Sequence, residues 1–261
     1  MSVPSAIFIT GASGYVGNII SGILSKNDVL YSACSSRAGS QFQYTLDSLF
    51  AFEIPRNSLI IHCAYDFSLK AEKDNSNLTS LKRLIDYCRN RDSGLLLISS
   101  SSADYPTRSK YAQTKHLQEH LVFEFESGSI LRLGIILDNK NIFIKLLRVS
   151  SRLKVTFCKV DNLPIFRLNT IDQIALALES FLVGPHSESQ QTFCAYDLGG
   201  ETLAFREIEK IVIGKKALKA LPLIPIGAII FVLNKFSRIT RVNRLKHSFC
   251  FILKQRNDDI I

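Results

Sequence analysis

The feature that most constrains this chain is its opening, Ala6-Ile-Phe-Ile-Thr10-Gly11-Ala-Ser-Gly14-Tyr-Val-Gly17. An apolar run enters a glycine-rich turn, and an amphipathic stretch from Val16 to Lys26 follows. Read physically, this is a strand, a tight turn and the start of a helix. Gly11, Gly14 and Gly17 permit a sharp reversal, close backbone approach to a ligand and close contact of helix with strand. The free amides of such a helix start, here around Ser13, Tyr15 and Val16, favour a pyrophosphate. A glycine triplet alone also serves to end strands and cap helices. The apolar strand before the turn and the second strand-like run Val29 to Cys34 after the helix point instead to dinucleotide binding.

The expected fold is α/β, a Rossmann-type doubly wound parallel sheet with a small C-terminal region covering the substrate. The run Leu59-Ile-Ile-His62-Cys63-Ala64 reads as a central strand buried on both faces, with Ala64 and Tyr65 at its carboxyl end beside the cofactor. His62 reads as a core histidine. A helix is expected from Asn77 to Arg91, then a buried strand Gly94 to Ile98, a catalytic helix running to Glu126, and a strand Ser129 to Gly134. A third strand is expected over Gln41 to Leu46, with Asp47 capping the helix after it, or else touching the adenine. Residues 1–135 are read as the nucleotide-binding core and 136–261 as the smaller region. That region should hold helices over Asn141 to Leu153, over Thr170 to Val183 with Thr170 as cap, and over Leu203 to Ile213. Strands are expected over Val155 to Lys159, Leu163 to Leu168 and Thr192 to Gly199.

Cofactor choice turns on the end of the second strand. No Asp or Glu stands between Asp28 and Asp47, where a carboxylate would hold the ribose 2′-hydroxyl of NAD. Arg37, helped by the Ser36 hydroxyl, is placed to fork onto the 2′-phosphate of NADP. NADP(H) is therefore expected in preference, with NAD(H) open and a solvated loop arginine as the plain alternative.

The chemistry sits further on. Ser99-Ser100-Ser101-Ser102 stand at a strand's carboxyl end, facing the crevice where open parallel sheets bind ligands. Tyr111-Ala-Gln-Thr-Lys115 puts a phenol and an ammonium on one helix face. A phenol titrates near 10 in water and transfers protons poorly at neutral pH unless a cation favours the phenolate. Lys115 supplies that cation, and a hydroxyl from Ser100 or Ser101 would hold the substrate oxygen while Tyr111 gives or takes its proton. His116 and His120 share helical spacing, but without a third ligand no metal is expected.

Composition settles the class. A chain of 261 residues, 46% hydrophobic, can bury a large core. Its six cysteines are scattered with no C-x-x-C pair, as expected of reduced thiols in a cytosolic protein. No signal peptide is read at the N-terminus. From Lys210 onward eleven Lys and Arg face two Asp, and the residues before balance, so the whole net charge of +9 belongs to the tail. Leu221 to Leu233, interrupted by two prolines, cannot span a bilayer. It reads as a helix packed over the substrate region, with peripheral contact to the inner membrane face as the alternative. Nucleic acid is not expected, because the basic stripe carries no recognisable binding motif.

Thr10-Gly11-Ala-Ser-Gly14-Tyr-Val-Gly17, Ile61-His-Cys-Ala64, Asn77, Ile98-Ser-Ser-Ser-Ser-Ala103, Tyr111-x-x-x-Lys115 and Ile130-Leu-Arg-Leu-Gly134 together resemble the extended short-chain dehydrogenase/reductases, the NAD(P)-dependent epimerase/dehydratase family. The resemblance covers residues 6 to 213. It implies Tyr111 as general acid/base, Lys115 on the nicotinamide ribose, Ser100 or Ser101 on the substrate oxygen, and Gly11, Gly14, Gly17, Ala64 and Asn77 along the cofactor. Many members act on nucleotide-activated sugars as 4-epimerases, 4,6-dehydratases or 4-ketoreductases, and a homodimer is compatible with it. The basic, proline-containing C-terminal segment resembles that of members associated with bacterial surface-polysaccharide synthesis. Two departures stand out: the chain is short, and only ten residues lead from Ser101 to Tyr111, where sugar-nucleotide members have a longer loop. A small non-sugar ketone is thus an alternative substrate, and a non-catalytic NADP(H) sensor or assembly protein an alternative class. A dehydratase is the least expected, since only Asp104 stands beside the serines as an added acid/base.

Overall fold

The computed structural model describes residues 4–36, 42–68, 75–107, 109–141, 144–145, 148, 155–156, 165–183, 192–195, 202–204 and 219–220. Arg37, most of the expected helix Asn141 to Leu153 and the tail from Leu221 lie outside them.

Six parallel strands form the central sheet. They are β1 (Ile7–Thr10), β2 (Ser32–Cys34), β5 (Leu59–His62), β6 (Gly94–Ser100), β7 (Gly128–Leu133) and β11 (Thr192–Cys194), in the spatial order β11-β7-β6-β5-β1-β2. Every residue of β1 and β5 is buried, which explains why both segments are continuously apolar rather than alternating. Along β6 successive side chains point to opposite faces. Leu96 and Ile98 join the core beneath helices α1 (Tyr15–Lys26) and α4 (Ile171–Val183), through Ile20, Ile23, Leu24, Ile174 and Leu178. Leu95 and Leu97 join the opposite core, filled by Leu81, Leu84, Ile85 and Cys88 of α2 (Ser76–Asn90) and by Val122 of α3 (Lys110–Phe123). Burying each such aliphatic side chain contributes roughly 1.5–3 kcal/mol, so the sheet is held from both faces.

The chain leaves β1 to one side for β2 and returns to its other side for β5. That reversal opens a crevice at the carboxyl ends of β1 and β5, where a ligand fits in open sheets.

Four sequence expectations need correction. The third strand expected over Gln41 to Leu46 is present but shorter, and it stands outside the main sheet. β3 (Tyr44–Thr45) turns back antiparallel onto β4 (Leu49–Phe50), and Gln43 meets Ser35 in a single parallel bridge. The turn is held by Thr45 Oγ1 accepting from the Ser48 amide at 3.0 Å, and the reversal lets Phe42, Phe50 and Phe52 pack around Phe8. Asp47 lies in that turn and the chain runs from it into β4, so it caps no helix; Arg83 donates to its carbonyl. The sheet does not end near residue 135, because β11 adds a parallel strand beside β7. Finally, Thr202–Ala204 (β12) is a strand, antiparallel to β10 (Ile165–Asn169), where a helix was expected from Leu203; residues 205–213 lie outside the described ones. β10 also pairs in parallel with β8 (Ile135–Ile136). β9 (Val155–Thr156) pairs with β13 (Lys219–Ala220).

Thr170 does cap α4. Its Oγ1 accepts from the Gln173 amide at 3.2 Å while Gln173 Oε1 accepts from the Thr170 amide at 2.9 Å, a reciprocal box that satisfies two donors at the helix start.

Candidate active site

The glycine turn is built from backbone. Gly11 has φ +69°, and a Cβ there would lie 2.7 Å from the Ala64 backbone, so only glycine lets β1 leave the sheet beside β5. A Cβ on Gly17 would run into the Gly11 carbonyl. Gly14 stands at the N-cap of α1 without a side-chain cap, and no acidic residue occupies the first turn. The helix start thus presents amides and positive potential to the crevice, an arrangement that fits a dinucleotide pyrophosphate.

A cavity of about 1070 Å³ opens from this turn. Gly11, Ser13, Gly14, Tyr15, Val16, Gly17, Ser36, Ala64, Ser100, Ser101, Tyr111 and Lys115 all line it, so residues chosen from five separate stretches meet in one place. Asn77 is not on its wall. Buried at the start of α2, it accepts from the Asp66 amide and donates to the Asp66 carbonyl, each at 2.8 Å, and so fixes the loop leaving β5. Its effect on a ligand passes through that loop, which carries Ala64, Tyr65 and Phe67.

On the reactive side, Ser109 caps α3 by accepting from the Ala112 amide at 3.0 Å, which sets Tyr111 in the first turn. The Tyr111 ring is stacked with Phe67, at 5.6 Å between centroids and 20°, and meets Tyr65 edge-on at 5.1 Å. One turn on, Lys115 is 4% exposed; its Nζ donates to the Ile98 carbonyl at 2.9 Å and lies 5.3 Å from the Tyr65 ring centre. Burial pulls its titration down to about 8, opposed by Cys63 and Glu119. A cation with one strong protein hydrogen bond, at the cavity wall, can still donate to a ligand hydroxyl and favour a nearby phenolate.

The serines divide by role. Ser100 ends β6 and its Oγ accepts from the Ser102 amide at 3.3 Å and from Ser102 Oγ at 3.0 Å, shaping the 3-10 turn Ser101–Asp104. Ser101, Ser102 and the buried Ser99 also line the cavity.

Sequence reasoning missed the polar groups behind this wall. Arg132 of β7 forks onto Glu119, Nε to Oε1 at 2.8 Å and Nη2 to Oε2 at 2.5 Å, and its Nη1 reaches Asp104 Oδ1 at 2.8 Å. Arg167 stands 3.8 Å from the other Asp104 oxygen. Asp104 is therefore an ion-pair partner, which removes it as a free acid. The spacing Tyr111, Lys115, Glu119 was the available signal, since it continues one helix face by a further turn. His62 is a core residue, as expected. Its Nδ1 is hydrogen-bonded to Thr10 Oγ1 at 2.8 Å, and burial, aided by Lys115, lowers its titration to about 3. His116 and His120 bring their Nε2 atoms to 3.2 Å, and no group of three metal-ligating side chains occurs among the described residues. No helix among these residues is long and apolar enough to cross a membrane.

No family model and no curated protein matches the sequence. Solved structures do. MoeE5 in complex with UDP-glucose and NAD superimposes with a TM-score of 0.63 at 16% identity, over 83% of this chain and 84% of that one. UDP-N-acetylglucosamine 4-epimerase from Bacillus cereus gives 0.60 at 14% identity, over 83% and 84%. A dTDP-4-dehydrorhamnose reductase from Clostridium acetobutylicum gives 0.60 at 17% identity, over 83% of each chain. At such identities the likeness speaks for architecture alone, and the chain shares the Rossmann-type fold of these solved structures.

Proposed function

We propose that this protein is an NAD(P)-dependent oxidoreductase or epimerase of a sugar, nucleotide-activated, working by 4-keto reduction or 4-epimerisation in polysaccharide biosynthesis. One observation carries the reading: Tyr111, a buried Lys115 and the serine turn line the same cavity as the glycine cradle. A non-catalytic nucleotide sensor has no use for a lysine held at the cost of burial beside a phenol. The similar structures bound to NAD and UDP-sugars support a nicotinamide dinucleotide and a nucleotide sugar as ligands.

The nicotinamide, when bound, supplies or accepts the hydride. The chain's own residues do the rest. The first turn of α1 holds the pyrophosphate, and Gly11 and Ala64 let it approach the backbone. Lys115 bonds the nicotinamide ribose and keeps positive charge beside Tyr111. Ser101 or Ser100 orients the substrate oxygen, and Tyr111 donates a proton to it in reduction or removes one in oxidation. Tyr65 and Phe67 cover the Tyr111 ring and keep water from that side. With Asp104 held by Arg132, a dehydratase is the least supported member of the set.

NADP(H) is preferred in this reading because Arg37 and Ser36 follow β2 where an acidic residue is absent; NAD(H) is the other choice. Arg37→Asp should weaken NADPH far more than NADH, and equal losses would remove the assignment. A reductase of a small non-sugar ketone is the second reading, favoured by the compact stretch from the serine turn to the Ser109 cap and by the aromatic wall around Tyr111.

The test follows reduced-nicotinamide absorbance with nucleotide-stripped protein, NADPH or NADH, and a UDP-linked 4-keto-6-deoxy sugar. Consumption by wild type and not by Tyr111→Phe supports a sugar ketoreductase. Interconversion of UDP-hexoses with a catalytic amount of NAD supports the epimerase. Turnover of simple ketones alone moves the assignment to the second reading, and cofactor binding without any turnover overturns the enzymatic one.

A further inference from the structure

Arg132 is placed where three parts of the reactive side meet. It stands on β7, next to Ser99 in the register with β6. Its guanidinium grips Glu119, one turn beyond Lys115 on the helix that carries Tyr111, and Asp104, the last residue of the serine turn. Tyr111, Lys115 and Glu119 follow one another at four-residue intervals, so the pull of Arg132 acts on the helix face that bears the acid and its cation. Glu119 is 5% exposed, and the side chain of Asp104 is 24% exposed. Without Arg132 two carboxylates would share this space, one of them desolvated and unpaired.

A planar guanidinium with five fixed donors can hold two carboxylates at once, which neither a lysine nor an apolar residue can do. The serine turn and α3 are joined in the chain by the five residues 105–109, and Arg132 adds a side-chain link at the base of that connection. Two links fix the spacing of two hydroxyl groups that must reach one substrate oxygen.

We infer that Arg132 is a positioning residue for hydride-transfer chemistry at this site: through Glu119 and Asp104 it locks the Tyr111-Lys115 helix and the serine turn into one body. This rests on the functional reading above. Glu119 also acts on Lys115, after Cys63, in opposing the downward pull of burial on its titration.

The experiment compares Arg132→Met, Arg132→Lys, Asp104→Asn and Glu119→Gln with wild type. Three readouts are taken: denaturant unfolding, steady-state hydride transfer corrected to equal folded fraction, and NMR titration of Lys115 in isotope-labelled protein, which needs no substrate. A misplacement on the order of 1 Å lowers turnover about 100-fold, so Arg132→Met should lose kcat on that scale with KM within about threefold. Arg132→Lys should recover about a tenth of wild-type turnover, since an ammonium meets one carboxylate and not both. Glu119→Gln should move the Lys115 titration below about 8, while Asp104→Asn leaves it in place. Wild-type kcat in Arg132→Met at equal folded fraction, with the loss confined to stability, would overturn the inference. If wild type transfers no hydride to any substrate tried, the functional reading fails separately and the titration decides alone. A Lys115 titration in Arg132→Lys, which keeps the charge and loses the fork, equal to that of wild type then refutes the positioning role, and a shift there upholds it.

Discussion

The two walls of the cavity are made in different ways. The cofactor wall is backbone: Gly11 and Gly17 remove side chains so that a strand, a helix and a loop can touch, and amides face the ligand. The reactive wall is side chain. A phenol, an ammonium and hydroxyls are held there by a cap at Ser109, a carbonyl at Ile98 and ion pairs from Arg132. The first wall needs residues that are absent, the second needs partners that are far away in sequence. Binding should therefore fail through sterics on one side, and chemistry through electrostatics on the other, each without the other.

The sharpest separation is expected from Tyr111→Phe. The ring and its contacts with Phe67 and Tyr65 survive while the proton is lost, so turnover should fall by roughly 10²- to 10⁴-fold with cofactor affinity unchanged. Steady-state kinetics and cofactor titration on the same preparation check this; a parallel loss of affinity would merge the two walls. From the other side, Gly11→Ala forces a side chain against Ala64 at positive φ. It should cost about 1–3 kcal/mol in unfolding experiments and abolish cofactor binding.

Two predictions read charge rather than shape. His62 titrates near 3 in the fold against 6.5 in an open chain. As pH falls below 6.5 the unfolded chain takes up a proton that the folded one refuses, and stability declines toward pH 3. The slope approaches about 1.4 kcal/mol per pH unit. Unfolding of His62→Asn between pH 6.5 and 4 should show that slope removed. Lys115 works likewise at the alkaline end. Its folded titration near 8 lies below the ordinary 10.5, so the unfolded chain binds more protons across that interval and stability gains as pH rises through it. The thiols of Cys34, Cys63 and Cys88, raised by burial to about 12 from 9, act in the opposite sense above pH 9. The effect is therefore read from pH 8 to 9 as the difference between wild type and Lys115→Met, which should narrow in favour of wild type. A constant difference would mean that Lys115 does not titrate there.

The smallest effect belongs to neither wall. Thr170→Ala removes half of the capping box on α4 and should lower stability by about 1 kcal/mol in denaturant unfolding, with binding and turnover unchanged.

The same contrast explains what the sequence disclosed. β1, β5 and β6 were legible because strands buried on both faces are continuous apolar runs, and α2 because Leu81, Leu84, Ile85 and Cys88 recur at helical spacing. The glycine turn and Tyr111-x-x-x-Lys115 were legible because each is local. The β3–β4 hairpin was not, because its reversal depends on an aromatic cluster around Phe8 gathered from segments more than thirty residues apart. Nor was Asn77's true partner, the Asp66 backbone eleven residues earlier. The ion pairs of Glu119 and Asp104 were not legible either, because β7 brings Arg132 between them from 13 and 28 residues along the chain. β11 was legible as a strand within Thr192 to Gly199, but its place in the main sheet was not, because its neighbour β7 lies some sixty residues before it.

The division between the walls is tested most directly by calorimetric titration of NADPH and NADH into wild type, Tyr111→Phe and Gly11→Ala. The account predicts equal affinity for the first two proteins and no binding by the third. Binding by Gly11→Ala, or none by wild type, would contradict it.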